Sequence, residues 1–171
     1  MAGSRFASTA LAVAIAGGAV LPTSGAAPDA DIHMNNPFAA AAVRSAIGGA
    51  VRRLAREGCR DLLREFKDAE GHTLQANLEA RHRTAEAQLQ ALQFEDGVSR
   101  RLCDKNGIHA VTGPGSSVVY VCSDAFLTAY RRNSYLAESY MIHELLHTLG
   151  LGENPPSSQY ITDRVVTACH N

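Results

Sequence analysis

Apolar residues after position 36 first follow a helical rhythm. From residue 43 onward they recur at intervals of four and three, which predicts an amphipathic helix over residues 37–57. The members of this stripe are Val43, Ile47, Val51 and Leu54. Two further helices are predicted over 61–67 and 73–82, with the helix-breaking Gly71 between them. The first third of the domain is therefore predicted to be helical.

The rhythm changes in the middle of the chain. Residues 87–94 approach a period of two before a turn signal at 95–97, and two runs rich in β-branched residues follow at 108–111 and 118–122. A segment containing glycine and proline, 112–117, joins the last two runs as a hairpin connection would. The middle of the chain is therefore predicted to form a small, mainly antiparallel sheet.

Helical spacing returns in the last third. Capping residues and periodicity predict a short helix over 123–131, a longer one over 133–150 and a final one over 158–169. The inward stripe of the final helix consists of Ile161, Val165 and Cys169. The complete pattern predicts a single α+β domain over residues 37–171.

The amino-terminal segment has the composition of an export signal. Arg5 precedes an apolar stretch of about 16 residues, shorter than the roughly 20 that span a bilayer, and small residues surround a cleavage point after Ala26. We therefore expect residues 1–26 to be a signal peptide and residues 27–36 to be a flexible leader. The mature protein is expected to be secreted or periplasmic, with no stable membrane anchor.

Composition narrows the range of partners. The chain has 16 Lys plus Arg against 17 Asp plus Glu, so its formal charge is −1 and it lacks the positive surplus that nucleic acids and anionic membranes attract. It contains no Trp, and only 5 Phe and 5 Tyr, which argues against a surface that stacks on bases or sugars. We therefore expect no nucleic-acid partner.

The four cysteines all lie in the predicted mature chain, at Cys59, Cys103, Cys122 and Cys169. An even number in an exported protein favours disulfides, and the absence of a C-x-x-C pair argues against a thiolate metal site. Spacing leaves all three possible pairings open. We favour Cys59 with Cys103 and Cys122 with Cys169, because the second bridge would tie the last helix to a core strand.

Residues 143–147, within the helix predicted over 133–150, read His-Glu-Leu-Leu-His. His143 and His147 are four residues apart and project from one helix face, so both imidazoles can bind one metal ion. Glu144 lies about 100° around the helix, where it can reach a metal-bound water without being a ligand. Zinc lowers the pKa of such a water toward about 7, and the carboxylate can accept its proton as the water attacks a carbonyl. The motif predicts zinc-dependent amide hydrolysis.

The motif is hard to explain by chance or by structure alone. A shuffled chain with the same 7 His would contain it about 0.015 times. The structural alternative is a pair of hydrogen-bonded histidines with Glu144 in a helical salt bridge. Burying three ionisable groups in a leucine-rich helix is costly without a metal, so we favour the metal site.

The residues that follow extend the motif into a family resemblance. The segment from His143 to Glu153 resembles the H-E-x-x-H-x-x-G-x-x-H/D pattern of the metzincins, a group of zincin metallopeptidases. In that pattern the glycine, here Gly150, turns the chain so that the last residue becomes the third zinc ligand. The resemblance therefore implies His143, His147 and Glu153 as zinc ligands. The string over 149–158 is also similar to small exported bacterial proteins.

The resemblance covers the motif and not a whole metzincin domain. Metzincins carry a methionine turn after the third ligand, whereas the methionines here, Met1, Met34 and Met141, all precede it. The third ligand therefore also has alternatives, which are Asp163, His109 and His170. Tyr120, Tyr140 and Tyr160 are candidate hydrogen-bond donors to an oxyanion, with packing roles as the alternative for each.

The resemblance implies a zinc metallopeptidase that hydrolyses a peptide or protein substrate with a zinc-bound water activated by Glu144, and the predicted signal peptide implies that it is secreted. In zincins a strand before the active-site helix usually pairs with extended substrate, and residues 118–121 fit that order, although they fit a core strand equally well. One alternative is a non-catalytic, zincin-like binding module with a structural metal or a vestigial site. Another is a secreted effector or inhibitor built on the disulfides.

Overall fold

The computed structural model describes residues 30–104 and 107–170. Within these residues the chain forms seven α-helices and a four-stranded sheet, which confirms the predicted α+β class. The predicted signal peptide, residues 1–26, lies outside the described residues, as do residues 27–29 of the predicted leader. None of the described helices is both long enough and apolar enough to cross a membrane.

The first half of the fold is mainly helical, as the pattern predicted. Its elements are β1 (Asp31–His33), α1 (Pro37–Leu54), α2 (Glu57–Glu65), α3 (Leu74–Ala80), α4 (Ala85–Gln90) and β2 (Gln93–Asp96). The side chain of Asn36 starts α1 by accepting hydrogen bonds from the backbone N–H groups of Phe38 and Ala39. α1 runs unbroken through Gly48 and Gly49, and a Cβ at Gly49 would lie only 2.2 Å from Cδ of Glu138.

The second half alternates strands and helices. Its elements are β3 (Ala110–Val111), β4 (Val118–Val121), α5 (Ser123–Arg132), α6 (Ser134–Thr148) and α7 (Ser158–Ala168). The side chain of Ser157 begins α7 by accepting the N–H of Tyr160, and the predicted stripe of Ile161, Val165 and Cys169 is fully buried. The core lies where α1 packs against α5 and α6.

The sheet differs from the mainly antiparallel one predicted. Its strand order is β1-β2-β4-β3, and both β1–β2 and β2–β4 are parallel; only β3 and β4 form an antiparallel pair. The physical reason is the connection: four helices lie between β1 and β2, so the chain crosses over and returns in the same direction. Only the predicted hairpin around residues 112–117 gives an antiparallel pair.

Two local predictions also need correction. The strand expected over 87–94 begins only at Gln93, because the Thr84 side chain accepts the N–H of Ala87 and caps the helix α4. The flexible leader expected over 27–36 does not hold for Asp31–His33. These residues form the edge strand β1, and Ile32 packs against the core.

The preferred disulfide pairing is wrong. Cys59 pairs with Cys169 and Cys103 pairs with Cys122, with Cα–Cα distances of 4.6 and 5.4 Å. The first bridge forms because α2 packs against α7, which brings the start of the helical region to the end of the chain. The second joins the end of β4 to the loop after β2, its neighbour in the sheet. All four cysteines therefore form disulfides, as expected, but each has a different partner from the one favoured.

Candidate metal centre

The candidate centre is built on α6, whose inner side is continuous with the core. The side chain of Asn133 caps its start, and Met141, Ile142, Leu145 and Leu146 are completely buried. His143, Glu144 and His147 are the ionisable residues among the helix's buried side chains, each no more than 5% exposed. Apolar packing therefore fixes the rotation of the helix and with it the direction of the motif.

A tight turn after α6 brings Glu153 back toward the histidines. Gly150 has φ +110°, in the region that favours glycine, and the N–H of Leu151 donates to the Leu146 carbonyl at 3.1 Å. Asn77 on α3 donates from Nδ2 to the Leu149 carbonyl at 2.9 Å. A side chain at position 150 would also press on Asp68, since a Cβ there would lie 3.1 Å from Asp68 Cβ. The turn thus requires glycine for both reasons.

The three predicted ligand residues converge. The Nε2 atoms of His143 and His147 lie 3.0 Å apart, and Glu153 Oε1 lies 3.6 and 3.4 Å from them respectively. A tetrahedral ion with bonds of about 2.05 Å separates its ligand atoms by about 3.3 Å. The separations of these three atoms therefore match those of a tetrahedral zinc shell to within about 0.3 Å.

The far nitrogen of each imidazole has its own partner. Nδ1 of His147 lies 2.7 Å from the carbonyl oxygen of Leu151, and Nδ1 of His143 lies 3.0 Å from Oγ1 of Thr162 on α7. Such outer contacts orient metal-binding histidines. Both rings therefore turn Nε2, and not Nδ1, toward Glu153.

Burial sets the ionisation of the centre. Burial and, to a smaller extent, the neighbouring His147 lower the pKa of His143 to about 4, against the opposing effect of Glu153. The contact between His143 and Glu153 is therefore not an ion pair at neutral pH. Burial and, to a smaller extent, the charge of Glu153 raise the pKa of Glu144 to about 8, against the opposing hydrogen bond from the Thr112 N–H.

Glu144 holds an unsatisfied buried atom. Among the buried side-chain oxygens and nitrogens of the described residues, its Oε2 is the atom that has no hydrogen-bond partner. Leaving such an atom unpaired is destabilising, so it calls for a partner that the described residues do not supply. The residues thus fit a divalent cation on four counts: the donor set, its spacing, the oriented imidazoles and this unpaired carboxyl oxygen.

Two adjoining cavities make the centre accessible. One of about 260 Å³ extends toward Pro114 and Glu153, and the other, of about 640 Å³, extends along α6 toward Leu136 and Val166. His143 and Glu144 line both. The segment around β3 forms one wall and the first turns of α7 form the other, so the motif lies at the floor of a cleft.

The structure separates the alternative third ligands from the centre. Asp163 lies along the larger cavity and accepts a hydrogen bond from Gln159, and His109 stacks on Tyr140 with ring centroids 4.4 Å apart. His170 packs edge-on against Tyr135, at a centroid distance of 4.9 Å. Glu153 is therefore the carboxylate that joins the two histidines within 4.8 Å.

The remaining candidates have different surroundings. Tyr140 lines the larger cavity, whereas Tyr160 packs on Phe66 and Tyr120 lies beneath the guanidinium of Arg100. The strand over 118–121 is β4, which pairs on both edges and has no free edge for a substrate. β3 borders the cleft and lies at the end of the sheet, so one of its edges pairs with no described strand.

Sequence reasoning missed three groups that contact the centre: Thr162, Thr112 and the Leu151 carbonyl. Thr162 is 19 residues from His143, and Thr112 is on a different element from Glu144, so neither spacing nor periodicity connects them. Leu151 contributes only its backbone, which any residue type provides. No signal in a single sequence marks these positions.

Comparisons of the chain with protein-family models, with curated proteins and with solved structures found no match. The assignment of a function therefore depends on the geometry of this centre.

Proposed function

We propose that the protein is a zinc-dependent peptidase with Glu144 as its general base. The observation that carries the proposal is the convergence of His143, His147 and Glu153 beside a buried Glu144 oxygen that has no hydrogen-bond partner among the described residues. Two imidazoles and a carboxylate form a donor set that suits zinc. The zincin-like motif and the open cleft support peptide bonds as the target.

The groups assigned as metal ligands are Nε2 of His143, Nε2 of His147 and the carboxylate of Glu153. A zinc ion at such a site supplies Lewis acidity, which lowers the pKa of a coordinated water toward about 7 and polarises a carbonyl. Catalytic zinc sites use three protein ligands, whereas structural sites use four. Among the described residues, the group within reach of the two histidines contains Glu153 and no fourth ligand, which favours catalysis over the structural alternative.

Glu144 is the residue proposed to accept and transfer the proton of the attacking water. Its carboxyl is neutral at pH 7 without a cation because burial and Glu153 raise its pKa to about 8. Positive charge bound beside it favours the ionised form, and Oε2 is then ready to accept a proton from an attacking water. The Thr112 N–H opposes the shift and holds the carboxyl against the cleft wall.

The cleft provides a place for an extended peptide. Its walls are the segment around β3 and the first turns of α7, and cavities continue on both sides of Glu144. The edge of β3 (Ala110–Val111) that pairs with no strand of the described chain offers backbone groups for strand addition. The substrate proposed for this site is therefore a peptide segment in extended conformation.

Export of the protein is part of the proposal. All four cysteines form disulfides, which persist in oxidising compartments. The signal-like composition of residues 1–26 supports secretion or periplasmic export. Mass determination of the protein recovered from a culture medium or periplasmic fraction tests it, and a mature chain beginning at Ala27 is the expected result.

The decisive experiment combines metal content with hydrolysis. The oxidised protein is reconstituted with zinc, its metal is counted by plasma mass spectrometry, and it is assayed on a library of internally quenched peptides. We expect about one zinc per chain and cleavage of at least one peptide class. Glu144→Gln should keep the zinc and lose hydrolysis by a factor of at least about 10².

Glu86→Gln is the matched control, because Glu86 lies in the first turn of α4 and outside the cleft. It should retain both zinc and activity. A folded wild-type protein that takes up no zinc would refute the proposal. Zinc uptake without hydrolysis of any peptide would leave the non-catalytic metal-binding module as the correct reading, and turnover by Glu144→Gln would refute the role of Glu144.

A further inference from the structure

We propose that Thr162 is a positioning residue that serves both tautomers of His143, donating its hydroxyl proton when the centre is metal-free and accepting one when zinc is bound. The inference rests on the proposed zinc site and adds a residue of α7 to it. Its basis is the hydrogen-bond geometry around the two imidazoles.

The partner of His147 fixes its tautomer. A backbone carbonyl can only accept, so the 2.7 Å contact of Nδ1 with the Leu151 oxygen places the His147 proton on Nδ1. A neutral His147 then presents a lone pair at Nε2. This arrangement is already the one that a metal ligand needs, and no side chain can be substituted to alter the carbonyl.

The metal-free state of His143 follows from its neighbour. Its Nε2 lies 3.0 Å from Nε2 of His147, which has the lone pair, so the His143 proton belongs on Nε2, where it donates across this contact. Nδ1 of His143 is then the acceptor, and the Thr162 hydroxyl, 3.0 Å away, donates to it. The network therefore gives the two histidines opposite tautomers.

Zinc binding requires the other tautomer of His143. Nε2 must offer its lone pair to the metal, so it loses its proton and Nδ1 gains one, which leaves the neutral imidazole with the same number of protons. Nδ1–H then donates to Oγ1 of Thr162. A hydroxyl has one donor and two acceptor sites and can reverse its role by rotation, whereas a carbonyl or a carboxylate can only accept.

The position of Thr162 is held from both ends of α7. Ile161 and Val165 are completely buried on the inner face of the helix. At its carboxyl end, Cys169 is bonded to Cys59, its carbonyl accepts from Arg53 at 3.2 Å, and the Val166 carbonyl accepts from the Tyr135 hydroxyl. The helix therefore cannot rotate to remove the hydroxyl from His143 without breaking these contacts.

The test has a spectroscopic and a binding readout. Long-range ¹H–¹⁵N correlation NMR reports which ring nitrogen carries the proton, with His143 assigned by comparison with His143→Gln. We expect protonated Nε2 in the metal-free protein and protonated Nδ1 after addition of zinc, while His147 keeps its proton on Nδ1 in both states. The same tautomer of His143 in both states would overturn the inference.

Zinc affinity, measured by competition with a chromophoric chelator, is the second readout. Thr162→Val keeps the shape but has no hydroxyl, and should weaken zinc binding about 10- to 100-fold. Thr162→Ser should restore affinity to within about threefold of wild type, because it keeps the hydroxyl. Thr167→Val is the matched control: the same substitution at an exposed position of α7 should leave affinity unchanged.

The outcomes distinguish the two proposals. A wild-type protein that binds no zinc refutes the proposed function and removes the trigger of the tautomer change. Zinc binding by Thr162→Val at wild-type affinity refutes only the role of Thr162. Failure of Thr162→Ser to restore affinity would also refute it, because a loss caused by packing alone does not depend on the hydroxyl.

Discussion

Two clusters of histidine and carboxylate groups lie in the described part of the chain, and they differ in burial. His143, His147 and Glu153 form the candidate centre on α6, while Asp68, Glu70 and His72 form a second cluster in the loop before α3. Both histidines of the first cluster are buried, whereas Glu70 and His72 are exposed. We call the second group the loop cluster.

The difference in hydrogen bonding is more instructive than the difference in burial. In the loop cluster, Asp68 Oδ1 accepts the backbone N–H groups of Glu70 and His72, at 3.0 and 2.8 Å, and Oδ2 accepts from Asn77 at 2.8 Å. Its oxygens therefore close a turn. In the candidate centre, the Nε2 atoms and the Glu153 carboxylate face one another, beside a Glu144 oxygen to which no described residue bonds. Similar residue types thus serve a structural role in one place and a proposed chemical role in the other.

The largest expected effect is on metal binding itself. His147→Ala should lower zinc affinity by more than about 100-fold, because it removes one of three ligands. His72→Ala should bind zinc as the wild type does. Isothermal titration with zinc on the oxidised protein measures both. Equal losses of zinc affinity in the two variants would mean that the loop cluster takes part in binding. The two clusters would then not differ in role.

The next effect is stabilisation by the bound metal. A ligand that binds only the folded state, present at 100 times its Kd, stabilises that state by about 2.7 kcal/mol. We expect this increase in the free energy of unfolding for the wild type and for His72→Ala, and none for His147→Ala. Urea denaturation with saturating zinc and with excess chelator measures it. If chelation destabilises His147→Ala as much as the wild type, the assignment of zinc to the candidate centre is contradicted.

The third effect concerns the metal-free fold. Asn77 bridges Asp68 and the Leu149 carbonyl, so Asn77→Ala removes two partly buried hydrogen bonds and should lower the free energy of unfolding by about 1–3 kcal/mol. Glu153→Ala should change it by less than about 0.5 kcal/mol, since Glu153 is 37% exposed and its charge opposes ionisation of Glu144. Urea denaturation in chelator tests both.

The control for Asn77→Ala is Gln75→Ala, which removes a surface side chain of the same helix that bonds to Glu79. It should have little effect. A larger loss of stability in Glu153→Ala than in Asn77→Ala would reverse the structural and chemical roles assigned to the two clusters.

The smallest effect is a dependence on acid. The hydrogen bond from Asn77, followed by those from His72, lowers the pKa of Asp68 below its ordinary value of 3.8. A carboxyl with a lowered pKa in the folded state stabilises that state above its unfolded pKa and loses this contribution as the pH falls through the folded one. Between pH 5 and pH 3, a range of about two units around the ordinary pKa of Asp, the free energy of unfolding should therefore fall less for Asp68→Asn than for the wild type.

Chelator-treated protein is the appropriate sample for this measurement, because zinc release at low pH would otherwise add its own change. Denaturation curves at several pH values compare the two proteins. An identical acid response of the wild type and Asp68→Asn would mean that the Asp68 turn does not favour the ionised carboxyl.

Local features of the sequence predicted the elements that depend on local interactions. α6 and α7 appear nearly where capping residues and periodicity placed them, and the i,i+4 spacing of His143 and His147 places both Nε2 atoms together. The position of Gly150 predicted the turn to Glu153, since the residues involved are all within one short segment. Helical spacing and turn formation depend on residues within a short stretch of chain, so they can be predicted from a single sequence.

Features that join distant segments needed the tertiary structure. The parallel direction of β1 and β2, the pairing of Cys59 with Cys169 and the contact of Thr162 with His143 depend on how α1 to α4 cross over and where α7 packs. Alternation and spacing are the same for either strand direction and for any disulfide pairing. The sequence by itself determined which helix bears the motif and which residues bear the proposed chemistry. Packing of the core decided their surroundings, because burial, the contact of Thr112 with Glu144 and the contact of Thr162 with His143 come from segments far apart in the chain.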